Sequence, residues 1–546
     1  MRRAATLLLL RDTASGPEVL LQQRAADAVF MAGAFVFPGG AVEPSDNAPA
    51  SVARVTGLTD AVASQRLGLP SGGLAYWIAA LRECFEEAGI LLAHDDAGVA
   101  IPPSCVGAMV ADRSALNRGE LAFARVLERH GQYLPGGEVT YFDHWITPPT
   151  ASRRFDTRFF VARAPTGQAG SHDNAEAIHA AWLRPADALD RMHRQAMPMG
   201  AATRAVLEEF QRFASVQEAL EYARAKTTIE SNRVVVAQGA DGQQLIRRHD
   251  AAYAETHWCD PDETMQTTYD LLPGIPKSLD HLVTRIIAPN PGMMTGPGTN
   301  TYLVGTDDLV VIDPGPAIDA HVAAILACAS GRIRWIACTH THLDHSPAAL
   351  ALQRATGARC IGLPPPGSER QDQSFVPDWP VEHDALLRIA GVELRALLTP
   401  GHASNHVCFL LEDTGMLFTG DHVMQGSTVV INPPDGDMAA YLESLDALLR
   451  RDIAVIAPGH GYLIGTPHRE IRRVIEHRRR REAKVVDALA GHPGASLFEL
   501  VPVVYADTPE RLHGAASRSL LAHLEQLVGE GRAVASQGRY ALRNEP

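Results

Sequence analysis

Residues 339–346 read "THTHLDHS", and this stretch limits most sharply what the chain can fold into. His340, His342, Asp344 and His345 fall within six consecutive positions. Imidazoles seldom crowd together in a core, and here they set several borderline-soft nitrogen donors beside a carboxylate, which is donor chemistry for a transition metal. A rule of place finds the remaining donors. Four apolar, strand-like runs each end in a candidate: "WIACTH" in His340, "LRALLTPGH" in His402, "MLFTGD" in Asp421 and "IAVIAPGH" in His460. Strands of one sandwich that end on the same rim bring such residues together. The set of five histidines and two aspartates is enough for two ions.

H-x-H-x-D-H with a later PGH, GD and PGH resembles the metallo-β-lactamase superfamily, whose fold is an αββα sandwich. The resemblance implies one Zn²⁺ on His340, His342 and His402, a second on Asp344, His345 and His460, and Asp421 between them. It also makes Asp344 a catalytic group and Asp313, after "DLVVI", the aspartate that orders the ligand loops. Two such ions can generate hydroxide at neutral pH and clamp a developing oxyanion, which is hydrolysis of an ester, thioester or phosphodiester. His406, in "HASNHVCF", and His422, after Asp421, are each either a substrate-side acid or an ordered neighbour, and His406 is the one taken as substrate-binding. "APNPGMMTGPGTNTYLVG" followed by "IDPGP" resembles the branch that contains beta-lactamase-like protein 2, a single-strand-preferring endoribonuclease, and "HRRRREAKVVDAL" with the tail matches the winged-helix extension of that branch. Glyoxalase II thioesterases share the H-x-H-x-D-H core but usually lack this extension.

A second charged stretch stands far upstream. In "ALRECFEEAGI", residues 80–90, Arg82, Glu83, Glu86 and Glu87 crowd one and a half turns of helix, and carboxylates so placed repel one another unless a cation answers them. Glu83 and Glu87 are spaced i,i+4 and Glu86 lies i+3 from Glu83, so the three can converge on hard cations, with Arg82 holding one of them in place. Preceded by "FVFPGGAVEPSD", this R-E-x-x-E-E pattern resembles the Nudix box, a loop-helix-loop in an α/β/α sandwich whose glutamates bind Mg²⁺ or Mn²⁺ to hydrolyse a diphosphate. The resemblance makes Glu86 and Glu87 metal ligands and Glu83 a ligand or the catalytic base. Gly39 and Gly40 are expected to let the backbone pass close to the substrate phosphates, and Glu176 could add a carboxylate from a loop. This box departs from the family in length, since 35 residues separate Asp46 from Arg82. A long insertion there, with "HWITPPTASRRFDTRFFVARA" downstream, resembles the branch that contains peroxisomal coenzyme A diphosphatases.

At 546 residues the chain is too long for one core, and typical sizes give roughly three or four domains. The expected organisation is multidomain α/β and α+β: residues 1–225 a Nudix domain, 226–280 a connector, 281–467 a metallo-β-lactamase domain, and 468–546 a basic helix with a winged helix. The net charge of −14 argues against a general nucleic-acid-coating or membrane-coating surface. Seven scattered cysteines without a CxxC pair fit a reducing cytoplasm. "MRRAATLLLLRD" imitates a secretory signal, but its apolar run stops at Arg11 and is read as a first strand, and no stretch approaches a membrane span.

Residues 468–484 carry eight Arg or Lys against three Glu. They read either as a track for a phosphate backbone or coenzyme A phosphates, or as a solvated helix paired with the acidic body. The sequence therefore describes a bifunctional cytoplasmic hydrolase. Its Nudix site acts on a small-molecule diphosphate, with coenzyme A or an acyl derivative favoured. Its second site attacks a phosphodiester, with single-stranded RNA favoured and a thioester as the alternative. A different class also fits the folds, a nucleotide-sensing regulator with a nucleic-acid-binding winged helix. Oligomeric state is not legible.

Overall fold

The computed structural model describes all residues except 27–30, 150, 169, 171–176, 241, 368–369 and 544–546. Glu176 lies outside the described residues. The chain divides into two units, Met1–Val234 and Val235–Pro546. No helix among the described residues is long and apolar enough to cross a membrane.

The first unit is built on an eight-stranded sheet, with Arg2–Thr13 pairing in parallel with Phe155–Arg163 at its centre. The run "TLLLL" is continuous because this strand is buried on both faces: Leu7 and Leu9 join one core, Leu8 and Leu10 the other. Helix Leu74–Ala88, which carries the glutamates, packs on the first face. Helices Pro185–His193, Ala201–Phe210 and Val216–Ala225 cover the second.

The insertion between Asp46 and Arg82 is folded. It forms the short helices Pro49–Val52 and Asp60–Leu67, a strand Val55–Thr56 paired with Leu134–Pro135, and then the first two turns of helix Leu74–Ala88 itself. Asp60 takes hydrogen bonds from the backbone N–H of Leu74 at 2.9 Å and of Gly72 at 3.0 Å. The Leu74 N–H is a donor that the first turn of a helix leaves without a partner, and Gly72 lies just before that turn, so the insertion ties down the start of the helix that bears the site.

The second unit holds two sheets face to face. One has seven strands, from Lys277–Ser278 to Trp379–Pro380, and the other five, from Ala385–Ile389 to Val455–Pro458. Val310, Ile312, Phe409 and Phe418 meet in the core between them. Helices Asp319–Ala329 and Ala348–Thr356 cover the seven-stranded sheet, and Met438–Leu448 with Pro467–Gly491 cover the five-stranded one, which completes an αββα sandwich.

Residues 226–280, expected as a connector, are shared out. Strand Ser231–Arg233 adds an edge to the first unit's sheet. The hairpin Val235–Gly239 and Gly242–Ile246 and helix Tyr253–Cys259 belong to the second unit, where fully buried Glu255 receives both terminal nitrogens of Arg285 at 2.6 and 2.8 Å and Lys277 at 2.6 Å. The tail has a winged-helix shape. Helices Leu497–Val504 and His513–Gly529 and a small sheet ending in the hairpin Ala533–Ser536 and Arg539–Leu542 enclose their own core with the end of the long helix.

Candidate functional site

In the first unit Arg82 is the hub. Its Nε and Nη2 donate to the two carboxylate oxygens of Asp46 at 2.9 and 3.1 Å, its Nη1 to Glu83 at 2.9 Å and Glu86 at 2.7 Å, and Nη2 also to the carbonyl of Ala41 at 2.8 Å. This bidentate buried pair joins the two halves of the box across the insertion. Burial works against the Arg82 charge, but Asp46, Glu83 and Glu86 more than offset it and raise its pKa. Burial pushes the carboxyls of Asp46 and Glu86 up, against the pull of Arg82.

Gly39 and Gly40, expected beside the substrate phosphates, also pack closely on the chain's own atoms. A Cβ on Gly40 would sit 2.5 Å from the Glu83 carboxyl carbon, and one on Gly39 2.5 Å from the carbonyl of Ala5. The Gly39 N–H donates to Glu87 at 3.0 Å. The glycine turn is thus pressed between the central strand and the glutamates. Glu83 and Glu86 share one guanidinium nitrogen while Glu87 holds the turn, so the three do not gather into one cluster of the kind found in the second unit. Their oxygen-only donor set suits a hard cation.

Sequence reasoning missed Arg113 and Asn117. From helix Val110–Asn117 they donate to the carbonyls of Glu86 and Glu87 at 2.9–3.2 Å and tie off the C-terminal turn of the glutamate helix. No local pattern announces them, because the contact spans more than twenty residues.

The second unit brings together all seven donors at the rim where its strands end. His340, His342 and His402 form one group and Asp344, His345, Asp421 and His460 another, each with ligand atoms within 4.8 Å of one another. Asp421 spans them: its Oδ1 lies 3.4 Å from His345 Nε2 and 3.3 Å from His460 Nε2, and its Oδ2 3.8 Å from His402 Nε2. The outer ring nitrogens are held by the protein. His402 Nδ1 faces the carbonyl of Val430 at 2.9 Å, His460 Nδ1 that of Gly298 at 3.2 Å, and His345 Nδ1 a carboxylate oxygen of Asp313 at 2.9 Å. A carbonyl only accepts, so these rings carry the proton outside and turn a lone pair inward.

Buried polar atoms normally find partners, yet Nε2 of His340, His345 and His460 and Oδ1 of Asp421 have none among the described residues. Four orphaned donor atoms converging on one rim are what a divalent pair satisfies, and the nitrogen and oxygen mixture fits zinc. Electrostatics divide the rings: burial opposes charge on His345 and His460, but Asp344 and Asp421 raise the first well above the ordinary imidazole value and Asp421 with Asp344 raises the second to about 9. Burial, then repulsion from the neighbouring imidazoles, keeps His340 neutral, and burial followed by His402 pushes His342 down to about 4. Burial opposes charge on Asp421, but His460 and His345 hold it well below the usual carboxylate range.

Asp313 also fastens the ligand loop. It accepts from the Thr339 N–H at 2.7 Å and the Thr339 hydroxyl at 2.8 Å, besides meeting His345. His406 does not reach the substrate side. It is fully buried, its ring stacked on His340 with centroids 5.0 Å apart and its Nδ1 2.9 Å from the Thr399 hydroxyl. His422 is likewise buried, against the ring of Tyr441. A histidine in a loop one to four residues from a ligand cannot be sorted into front or back from sequence.

A cleft of about 880 Å³ opens over His342, Asp344, His402 and Asp421. Met293, Met294, Met424, Val429 and Val430 line part of it. Gln371, also in the lining, is fixed by Thr341 at 2.7 Å and by Asp435 at 2.8 Å. The basic stretch is divided: Arg469, Arg472, Arg473, Arg479, Arg480 and Lys484 are exposed, and the other two arginines are not. Arg478 and Arg481 are buried and donate to the carbonyls of Val429 and Val504, and Arg481 also pairs with Asp507 at 2.8 Å.

Comparison with known proteins agrees with this architecture. Residues 294–460 match the family model of the metallo-beta-lactamase superfamily, 496–539 the beta-lactamase associated winged helix domain, and 48–202 the NUDT19 Nudix domain. The chain is 31% identical over 276 residues to the beta-lactamase-like protein 2 homolog of Drosophila melanogaster, covering 48% of this chain and 92% of that protein. It is 34% identical over 246 residues to the thioesterase pkgB of Emericella nidulans, covering 44% and 68% respectively. A Nudix hydrolase structure from Alicyclobacillus acidocaldarius aligns at 30% identity with a TM-score of 0.34, covering 40% of this chain and 96% of that one. The chain belongs to the metallo-β-lactamase superfamily, as a hydrolase whose lactamase domain is followed by the associated winged helix and preceded by a NUDT19-type Nudix domain.

Proposed function

We propose that this hydrolase dismantles coenzyme A thioesters, the second unit cleaving the acyl thioester and the Nudix unit the diphosphate of coenzyme A or its acyl derivative. The observation that carries the reading is the wall of the cleft over the seven donors. It is formed in part by Met293, Met294, Met424 and Val429, while Arg481 of the basic helix is turned away from it, onto the carbonyl of Val504 and Asp507. An RNA backbone needs a cationic path along its length, whereas an acyl chain and a pantetheine arm need an apolar wall with few polar groups. That moves the balance from the phosphodiester expected from sequence to the thioester. The relative from Emericella nidulans is named a thioesterase, which points the same way.

His340, His342 and His402 would hold one Zn²⁺ and Asp344, His345 and His460 the other, with Asp421 between. Such ions, when bound, lower the pKa of water and polarise a carbonyl. The chain's own groups do the rest. Asp313 and Thr339 fix the ligand loop, and Asp344, at the floor of the cleft with its carboxylate 3.5 Å from His460, takes a proton from the attacking water. The C–S bond then breaks, and the same carboxyl returns the proton to the departing thiolate. In the Nudix unit Glu83, Glu86 and Glu87 would hold Mg²⁺ or Mn²⁺. Arg82 keeps Glu83 and Glu86 together while water attacks one phosphorus of the diphosphate, gives up a proton and displaces the other phosphate as the bridging P–O bond breaks, with Glu83 as ligand or as the base that takes the proton. Seven free cysteines fit work in the cytoplasm.

The test is product analysis by mass spectrometry with Mg²⁺ and Zn²⁺ present. Acetyl-coenzyme A should yield free thiol in a reaction lost in Asp344→Ala, and phosphopantetheine-type products lost in Glu86→Gln. Intact thioester together with Asp344-dependent cuts in a single-stranded RNA oligonucleotide would return the second site to the phosphodiesterases.

A further inference from the structure

The lactamase sandwich supplies only part of the cleft. The opposite wall comes from the winged-helix region: Arg478 on the long helix Pro467–Gly491, Arg511 on the turn Glu510–Leu512, and Arg518 and Ser519 on helix His513–Gly529. Three guanidiniums therefore face the same space as the seven-donor rim. Arg478 is 2% exposed: its Nη2 donates to the carbonyl of Val429 and its guanidinium lies over the Tyr441 ring, 5.5 Å from the centroid, while its Nε has no hydrogen-bond partner among the described residues. Arg511 and Arg518 enter no hydrogen bond or ion pair among the described residues.

Arg511 and Arg518 contrast with their surroundings. The chain has 63 acidic residues against 49 basic ones, and neighbouring basic residues are paired: Arg473 with Glu470, Arg481 and Lys484 with Asp507, Arg532 with Glu482 and Glu530. Besides Asp344 and Asp421 of the rim, the cleft is lined by the carboxylate of Asp435, which is engaged by Gln371 and by the Ser404 hydroxyl. The wall is thus left positive on the side that faces the cleft.

We infer that this wall is an anion subsite, contributed by the winged helix, that takes the phosphate-bearing end of the substrate while the reacting end lies on His342, Asp344, His402 and Asp421. It rests on the thioesterase reading in one respect, since the phosphates are assigned to the nucleotide of coenzyme A. The planar guanidinium fork suits phosphate oxygens, and a half-buried fork without a carboxylate partner loses little by accepting them. The winged helix then serves here as a wall for substrate recognition. Its fold alone would not say so.

The experiment uses the full-length protein loaded with Zn²⁺. Thiol release is compared for acetyl-coenzyme A and for S-acetylpantetheine, which has the same reacting end and no phosphate. In parallel, calorimetry measures binding of adenosine 3′,5′-bisphosphate. The Arg511→Ala/Arg518→Ala double variant should lose about tenfold or more of the preference for the coenzyme A ester, through KM, and should bind the bisphosphate about tenfold more weakly, as expected when two charge-assisted hydrogen-bond donors are removed. An Arg511→Lys/Arg518→Lys variant should recover part of both. Unchanged preference and unchanged bisphosphate affinity in the alanine variant would overturn the subsite. Should the wild type release thiol from neither ester while binding bisphosphate in an arginine-dependent way, the thioesterase reading falls and the subsite stands. Arginine-dependent binding of a single-stranded RNA oligonucleotide, with none of the bisphosphate, would overturn the assignment to coenzyme A.

Discussion

Asp313 shows how much one side chain can organise. Its backbone sits at φ 49°, a left-handed conformation that costs a non-glycine residue on the order of 1–3 kcal/mol and persists where surrounding contacts over-determine it. The contacts are those to the Thr339 N–H and hydroxyl and to His345. Gly40 is constrained from the other direction, by the absence of a side chain. Gly40→Ala would place a carbon 2.5 Å from the Glu83 carboxyl, and because that neighbour is the end of a flexible chain it would yield. The expected outcome is a fall of about tenfold or more in diphosphate cleavage, the scale at which a misplaced catalytic group is felt, with little change in the thermal midpoint. Turnover at the wild-type rate, measured beside a calorimetric melt, would take Glu83 out of the chemistry.

Between elements, the contact of helices Pro467–Gly491 and His513–Gly529 carries a buried histidine with a pH consequence. His523 is fully buried, neither ring nitrogen has a partner, and it faces Arg478, Arg481 and His477. Burial, then Arg478, pushes it from its ordinary 6.5 down to about 3. The unfolded chain therefore binds the extra proton first as pH falls. Stability from this group is complete above 6.5 and drains away as pH drops toward 3. Urea titrations of the whole chain between pH 7 and 4 should show the second unit weakening with acid. His523→Leu should flatten that slope by about one proton. A slope identical in the two proteins would mean that His523 titrates alike in the folded and unfolded chain.

At the scale of the molecule, each unit closes its own cores, the first around the central strand and the second between and outside its two sheets. Sites set in separate cores should fail separately. Glu86→Gln is expected to abolish diphosphate cleavage and leave thioester cleavage within about twofold, and Asp344→Ala to do the reverse, as independent positions behave. Parallel assays on one preparation of each variant check this. Joint loss in either variant would show that the two chemistries are coupled.

What the sequence determined by itself is the chemistry. The seven donors of the second unit are rare side chains at short fixed offsets behind apolar strands, so their identity was legible before any fold was known. The same holds for Arg82 and the three glutamates of its helix, where spacing alone puts charges on neighbouring positions. Partners and burial were left to the tertiary structure. Asp46 meets Arg82 across 35 residues, Asp60 ties down the start of a helix from inside the insertion, and Arg113 ties off its end. Of the four consecutive arginines 478–481, two are buried and two exposed, and His406 turns behind a ligand instead of in front of it. Which side of a strand rim faces solvent, and which distant carboxylate answers a cation, depends on the packing of elements remote in the chain, and no local period encodes that.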